Sequence, residues 1–338
     1  MSEGIRGGGR SPTLEAVAAR AGVSRATVSR VVNNAPQVAA EIVAAVQKAI
    51  AELDYVPNRA ARMLASRRTQ SIALIVPEST ARVFADPFFA AIVQGAAMRL
   101  ADTDYTLSML IASETSGEKT RRYLLGGNVD GALVVSHHSG DHSYAALSNS
   151  LPIVFGGRPL SPDERDSYFV DVDNADGAAV ATAHLIAGGR RRIATIAGPL
   201  DTPGGITRLD GYRTELGDDL DESLIRHGDY SRASGEAAMA DLLAASPDVD
   251  AVFAANDRMA AGALDALTAA GRRVPDDVAV AGFDDSRVAT ETTPALTTMR
   301  QPFDRISSEM VRLLLQLIDG QKPAAMTLPT ELVRRATT

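Results

Sequence analysis

The chain has no cysteine and no tryptophan, and only eight Phe and seven Tyr among its 338 residues. Without a thiol there is neither a disulfide framework nor a thiolate metal site. No apolar run approaches the roughly eighteen residues of a membrane helix. Met1–Arg10 is rich in Gly and Arg and lacks an apolar stretch, so it reads as a disordered arm and not as a secretory signal. No nucleophile–base pair and no Gly-x-Gly-x-x-Gly phosphate cradle stands where a parallel α/β fold would need one. This argues against an enzyme, and no cofactor is expected. His137-His138-Ser139-Gly140-Asp141-His142 is tempting as a metal cluster. It lies on a loop, without ligand spacing along a rigid element, and no metal is expected there.

The net charge of −8 conceals a segregation. Residues 1–70 hold ten Lys/Arg against five acids; the remaining 24 basic and 37 acidic residues leave the rest at −13. A basic head on an acidic body suits a DNA reader whose body takes a neutral ligand. Residues 13–34 of that head read as two short helices broken at Gly22-Val23. Gly22 enters positive φ freely, Ser24 can cap the second helix through its hydroxyl, and Ala18 and Val28 set a small side chain against a branched one where helices cross. This is the helix-turn-helix layout, whose second helix enters the DNA major groove. On this window alone an ordinary αα-hairpin stays open. Val38–Leu53 reads as a third helix.

The run Ala21-Gly22-Val23-Ser24-x-x-Thr27-Val28-Ser29-Arg30, followed by Tyr55-Val56-Pro57-Asn58-x-Ala60-Ala61, closely resembles the lactose-repressor (LacI/GalR) family of bacterial transcription regulators. The resemblance covers essentially the whole chain after the first ten residues. It implies a DNA-binding domain over 11–57, a hinge helix and linker over 58–70, and an effector-binding and dimerisation domain over 71–338. It also implies base contacts from Arg25, Ala26 and Arg30. Arginine can reach guanine O6 and N7 bidentately, whereas Ala26 offers a methyl to thymine. Ser24, Thr27, Ser29 and Asn33 would hold phosphates and set register, and Tyr55 and Asn58 are counted with the DNA-contacting residues. Asn58–Ser66 resembles the family's hinge helix; at two turns it is marginal alone, so it should fold only with its twin and DNA. Leu64 matches the leucine wedge that enters the minor groove, with Ala61 beside it.

Two departures stand out. Ala39-Ala40-Glu41-Ile42-Val43 replaces the family's Ser then Thr-Arg, removing a cap worth ~1 kcal/mol. Asp54 replaces a glycine at a site that wants the left-handed conformation. Both predict a weaker or more salt-sensitive head.

From Ser71 on, strand-length apolar runs (71–76, 106–111, 131–135, 153–155, 192–197, 251–255 and 278–281) alternate with helical patterns (89–100, 118–125, 175–187, 207–216, 234–245 and 258–270). Such alternation predicts parallel sheets covered on both faces. The fold class is α/β, with two Rossmann-like lobes and a cleft between them. The resemblance adds kinship with periplasmic sugar-binding proteins and three crossings between lobes, near residues 171, 300 and 330. Lobe 1 is then about 71–170 and 301–329, lobe 2 about 171–300 and 330–338.

Ligands of parallel α/β folds bind beyond the carboxyl ends of strands. There the resemblance assigns Arg208, Asn256 and Asp284 to sugar hydroxyls and Tyr230 to stacking on the ring. The chemistry suits them: Asp accepts, Arg donates in a fork, Asn does both, and an aromatic face meets an apolar sugar face. The helix cap after strand 251–255 is assigned to Asp257 and the ligand to Asn256. Arg208 is read as opening its helix, with pairing to an acid of its own lobe as the rival role. Asp285 is the rival to Asp284, and loop packing the rival role for Tyr230. Val83-Phe84-Ala85-Asp86-Pro87-Phe88-Phe89 matches the family's Asn-Pro-Phe-Phe signature; Phe88 is favoured for the ligand and Phe89 for the core. Glu78 reads as a solvated rim acid. Gly156-Gly157-Arg158-Pro159 replaces a frequent Asp-Arg-Pro, which removes one hydroxyl acceptor and argues against a simple monosaccharide. The stretch from Val76 to Phe89 is similar to actinobacterial repressors of oligosaccharide use, cellobiose repressors among them.

The expectation is a cytoplasmic, nucleoid-associated homodimeric repressor that leaves a palindromic operator when a small sugar, up to a disaccharide in size, closes the cleft. A purine-type co-repressor regulator is the alternative; a sugar-transport binding protein is disfavoured by the head. No Leu heptad follows the final strand and tail at Glu331–Thr338, so a dimer is expected and not a tetramer. The sequence names neither the sugar nor the operator.

Overall fold

Thr13 turns the chain into its first helix, its Oγ1 accepting the Ala16 N–H at 3.3 Å. The computed structural model describes residues 12–32, 35, 38–56, 68–112, 117–139, 142–160 and 167–338, with backbone alone at 142, 143 and 145. The chain divides after Thr69 into two units. In the first, α1 (Leu14–Ala21) ends at Gly22, whose φ of 66° is the left-handed turn that glycine adopts without strain. α2 (Arg25–Val32) and α3 (Ala40–Leu53) follow. Val17, Val28 and Val46 have no exposed surface, each burial worth roughly 1.5–3 kcal/mol, and they hold the three helices together. Ala39 makes no side-chain cap to α3, and Asp54 closes that helix at φ 49°, ψ 40°. Asn33 and the segment holding Asn58, Ala61 and Leu64 lie outside the described residues, as does the arm 1–10.

The second unit begins with β1 (Ser71–Val76), buried along its whole length. It lies between β2 (Thr106–Ile111) and β3 (Gly131–Val135), parallel to both. β4 (Ile153–Gly156), β5 (Tyr168–Val172) and β11 (Met326–Leu328) complete the first sheet, in the order β11-β5-β4-β3-β1-β2. The second sheet reads β12-β10-β9-β8-β6-β7, from β6 (Ile193–Ala197), β7 (Ile225–His227), β8 (Ala251–Ala254), β9 (Ala279–Asp284), β10 (Thr297–Arg300) and β12 (Glu331–Val333). All pairings are parallel except β10–β12. The chain passes from the first lobe to the second between Val172 and Asn174, returns between Arg300 and Phe303, and crosses again between Leu328 and Glu331.

The helices covering these sheets are α4 (Thr80–Ala85), α5 (Pro87–Leu100), α6 (Gly117–Tyr123), α7 (His142–Leu147), α8 (Asn174–Ala187), α9 (Pro203–Leu216), α10 (Arg232–Ala245), α11 (Asp257–Ala269), α12 (Arg287–Glu291) and α13 (Phe303–Ile318). α9 starts four residues before the expected Thr207, because Thr202 caps it and Pro203 occupies its first turn. Arg208 therefore lies inside α9 and does not open it. β9 runs on through Gly282-Phe283-Asp284, three residues beyond the apolar run, because β10 pairs with it as far as Asp284.

Candidate functional site

Between the two lobes lies a cavity of about 140 Å³, bounded by residues of both. That is roughly ten times the least space that holds one water. Phe88, Arg208, Tyr230, Asn256 and Asp284 all line it. Each arrives on a different element: Phe88 in the first turn of α5, Arg208 within α9, Tyr230 after β7, Asn256 after β8, Asp284 at the end of β9.

On the second lobe's wall, Arg208 is only 7 % exposed. Its Nε donates to Asn174 Oδ1 at 2.8 Å and its Nη1 to the Ala255 carbonyl at 2.6 Å. Its guanidinium carbon stands 3.8 Å from the centre of the Phe283 ring. Nη1 also lies 3.5 Å from Asp284 Oδ1, so the rival role, pairing with an acid of its own lobe, is present in the structure. Burial pushes the Asp284 carboxyl well above the ordinary aspartate range, against the pull of Arg208 and with a push from Asp86. Gln301, on the second crossing, donates to Asp284 Oδ1 at 2.6 Å. Asp285 faces elsewhere, accepting from Arg300 at 2.7 Å and Arg335 at 2.5 Å.

The cap of α11 reverses the expected assignment. Asn256 is the N-cap, its Oδ1 accepting the Met259 N–H at 2.9 Å, while its Nδ2 donates to the Tyr230 carbonyl at 3.1 Å. Asp257 is fully buried and instead accepts from the Ser286 N–H and the Thr298 hydroxyl. The residue preceding the first helical turn has the extended backbone that aims a side chain back at the helix, and here that residue is Asn256.

Tyr230 holds φ 69°, and its hydroxyl lies 3.2 Å from Thr202 Oγ1. A Cβ at position 198 would sit 2.5 Å from this ring, so Gly198 is what admits the tyrosine. Phe88 is half-buried and edge-on to both Phe89 and Phe303, with ring centres at 5.1 and 5.5 Å. Phe89, 3 % exposed, belongs to the core.

Side chains and backbone of both lobes meet around this cavity. Asp86 Oδ1 caps α5 by accepting the Phe88 N–H, and its Oδ2 accepts from Arg258 of α11 at 3.2 Å. Arg82 lies 5.6 Å over the Tyr230 ring. His138 reaches Asp201 of the second lobe at 3.0 Å and Glu78 of its own lobe at 3.0 Å, and the Ser139 N–H donates to the Asp201 carbonyl at 2.7 Å. Glu78 is thus no solvated rim acid. At 6 % exposed it accepts from Ser136, His138 and Arg82, because the turn after β3 folds over it. The hydrogen bond to Glu78 is the main reason the His138 imidazole is pushed up to about 9. Burial against Phe155 holds neighbouring His137 near 4.

In the head, Arg25, Ala26 and Arg30 are exposed on α2, opposite buried Val28 and Val31. Arg25 pairs with Glu15 at 3.1 Å, both ends solvated, a contact worth little on its own. Ser24 Oγ accepts the Thr27 N–H at 3.1 Å and lies 2.9 Å from the Thr27 hydroxyl. Ser29 is half-buried on the same helix. Tyr55 is 7 % exposed in the head's apolar cluster with Ala18, Val31 and Ala49, so its ring packs the core.

Comparison with known proteins fits both units. The profile "Bacterial regulatory proteins, lacI family" matches residues 13–58, and "Periplasmic binding protein-like domain" matches 182–338. The chain is 48 % identical over 335 residues to the HTH-type transcriptional regulator CelR of Thermobifida fusca, covering 96 % of this chain and 98 % of that one. The chain belongs to the lacI family of bacterial regulatory proteins. Another relative is the HTH-type transcriptional repressor PurR of Edwardsiella ictaluri, 36 % identical over 94 % of this chain and 93 % of that one. Among solved structures, a CelR–cellobiose complex covers 97 % of this lacI-family chain and 100 % of its own at 45 % identity and a TM-score of 0.77. The lac repressor dimer bound to operator and the anti-inducer ONPF matches at 31 % identity and a TM-score of 0.84, covering 97 % and 99 %. Among the described residues, no helix is long and apolar enough to cross a membrane.

Proposed function

We propose that this family member is a homodimeric transcriptional repressor, working on DNA in the cytoplasm and carrying out no catalysis, that a cellobiose-like disaccharide releases from a palindromic operator. The observation that carries the reading is the interlobe cavity, where a buried guanidinium, a carboxylate, a carboxamide and two aromatic residues converge. Arg208 and Asp284 supply donor and acceptor for hydroxyls, Asn256 has one N–H and one lone pair beyond its cap and its bond to the Tyr230 carbonyl, and Tyr230 and Phe88 offer apolar faces to the sugar rings. The 48 % identity to CelR and the cellobiose in the related complex support a disaccharide. In the head, Arg25, Ala26 and Arg30 read bases, while Ser24, Thr27, Ser29, Asn33 and Asn58 hold the backbone. Ala61 and Leu64 enter the minor groove. Exposed Phe84 and Met98, at 79 % and 68 %, support a second copy covering the first lobe. Because a ligand shifts an equilibrium only by its differential affinity, cellobiose must favour the lobe arrangement that holds the operator less tightly.

The test uses a duplex that the full-length protein itself selects from a random library. Cellobiose should release this duplex and, at 100 times its Kd, add about 2.7 kcal/mol of stability. Tighter DNA binding on adding a purine, with no response to any mono- or disaccharide, would overturn the reading.

A further inference from the structure

Asp171, Asn174 and Arg208 form a hydrogen-bonded line that runs through the first crossing between the lobes. Asp171 sits on β5 of the first lobe, Asn174 opens α8 of the second, and the chain passes between them in three residues. The Asp171 carboxylate already accepts three N–H groups: Arg158 backbone at 2.9 Å, Val172 backbone at 2.8 Å and Asn174 Nδ2 at 3.0 Å. The Asn174 amide is used at both ends. Its Nδ2 donates to Asp171 and to the Val172 carbonyl at 3.2 Å, and its Oδ1 accepts Arg208 Nε at 2.8 Å. Facing a carboxylate on one side and a guanidinium on the other, the amide has one workable orientation. Asn174 is 5 % exposed and Arg208 7 %, so bulk water competes little for either bond. The second crossing does the same for the opposite charge, Gln301 holding Asp284.

We infer that Asn174, oriented by Asp171, is a positioning residue that fixes the Arg208 fork in the cavity and ties it to the hinge between the lobes. This rests on the sugar-effector reading above. Rotation of the lobes about residues 172–174 carries Asp171 one way and Asn174 the other. A 3.0 Å hydrogen bond survives only a few tenths of an ångström of such motion. Opening therefore frees the amide to turn and leaves the Arg208 Nε without its acceptor, so the fork is presented at the closed angle and not at others. An effector that needs this fork selects the closed hinge.

The experiment measures cellobiose affinity by calorimetry in the full-length protein, alongside the cellobiose concentration that half-releases the operator. Asp171→Asn places a donor against the Arg158 N–H, and Asn174→Asp places two carboxylates side by side. Each should weaken cellobiose binding at least tenfold and raise the half-release concentration by a similar factor. In the double variant the polarity of the pair is reversed and the repulsion is gone, so it should bind at least threefold more tightly than Asn174→Asp alone. That sign reversal is a coupling that independent structural damage does not produce. Singles within twofold of wild type, or a double variant weaker than both, would overturn the inference while the effector reading stands. A wild type that binds no mono- or disaccharide removes the effector reading, and this inference with it.

Discussion

His138 joins both lobes through one imidazole, with Glu78 on one nitrogen and Asp201 on the other. Two carboxylates on a single ring demand the doubly protonated form, which explains the rise to about 9. Burial of the ring pushes the other way, but the hydrogen bonds and charges of the two carboxylates prevail. Since the folded value lies above the ordinary 6.5, the stabilisation is complete below about 6.5 and is lost as pH rises through about 9. Glu78 works in the opposite sense. Burial raises its carboxyl, the bonds from His138 and Ser136 and the charge of Arg82 outweigh that, and the net value is lowered. Its contribution is present above about 4.5 and lost on acidification. The melting temperature of His138→Gln should therefore lie below that of wild type at pH 7, and the gap should close by pH 10. A gap that persists unchanged at pH 10 would show that the ring acts by packing alone.

At the scale of elements, α3 shows what a missing cap leaves behind. Ala39 has φ −59° and ψ 140°, an extended backbone on which a hydroxyl could reach the first turn, yet it carries none. Ala39→Ser should stabilise the start of α3 by about 1 kcal/mol. Hydrogen exchange of the first α3 amides in the full protein should slow about fivefold; unchanged rates would mean that tertiary packing already fixes this end. Elements with long uniform patterns are legible from residues alone: β1 and α8 fall within a residue of where the periodicity puts them. Short strands are not. β10 is Thr-Thr-Met-Arg, and β7 and β11 have three residues each. Nothing local distinguishes them from loops; their neighbours in the sheets make them strands.

For the whole molecule, the pair between Asp86 and Arg258, whose side chains are 11 % and 17 % exposed, joins the two lobes. Asp86 also caps α5, so removing the arginine leaves that helix intact while freeing one carboxylate oxygen at the cleft. Arg258→Ala should weaken cellobiose binding about five- to tenfold in 0.05 M salt. Because the pair is largely shielded from solvent, the difference from wild type should persist in 0.5 M salt. Equal affinities of variant and wild type at both salt concentrations would show that closure does not depend on this bridge.

The sequence by itself determined the two kinds of unit, since a glycine-broken pair of short helices and an alternation of apolar strands with amphipathic helices are local patterns. It also pointed to residue types of the cleft: Tyr230, Asn256 and Asp284 stand at strand ends or in the loops that follow them, and the family resemblance added Arg208, which lies within α9. Who does what among them only the tertiary structure decided. Asn256 became the cap because its own backbone is extended at the helix start. Glu78 became buried because a turn sixty residues away closed over it. Asn174 and Gln301 carry no motif that marks them; they matter because the lobe crossings bring them within hydrogen-bond reach of Arg208 and Asp284. Local pattern fixes what a segment can form, and contacts between distant segments fix which of its polar groups remain free for a ligand.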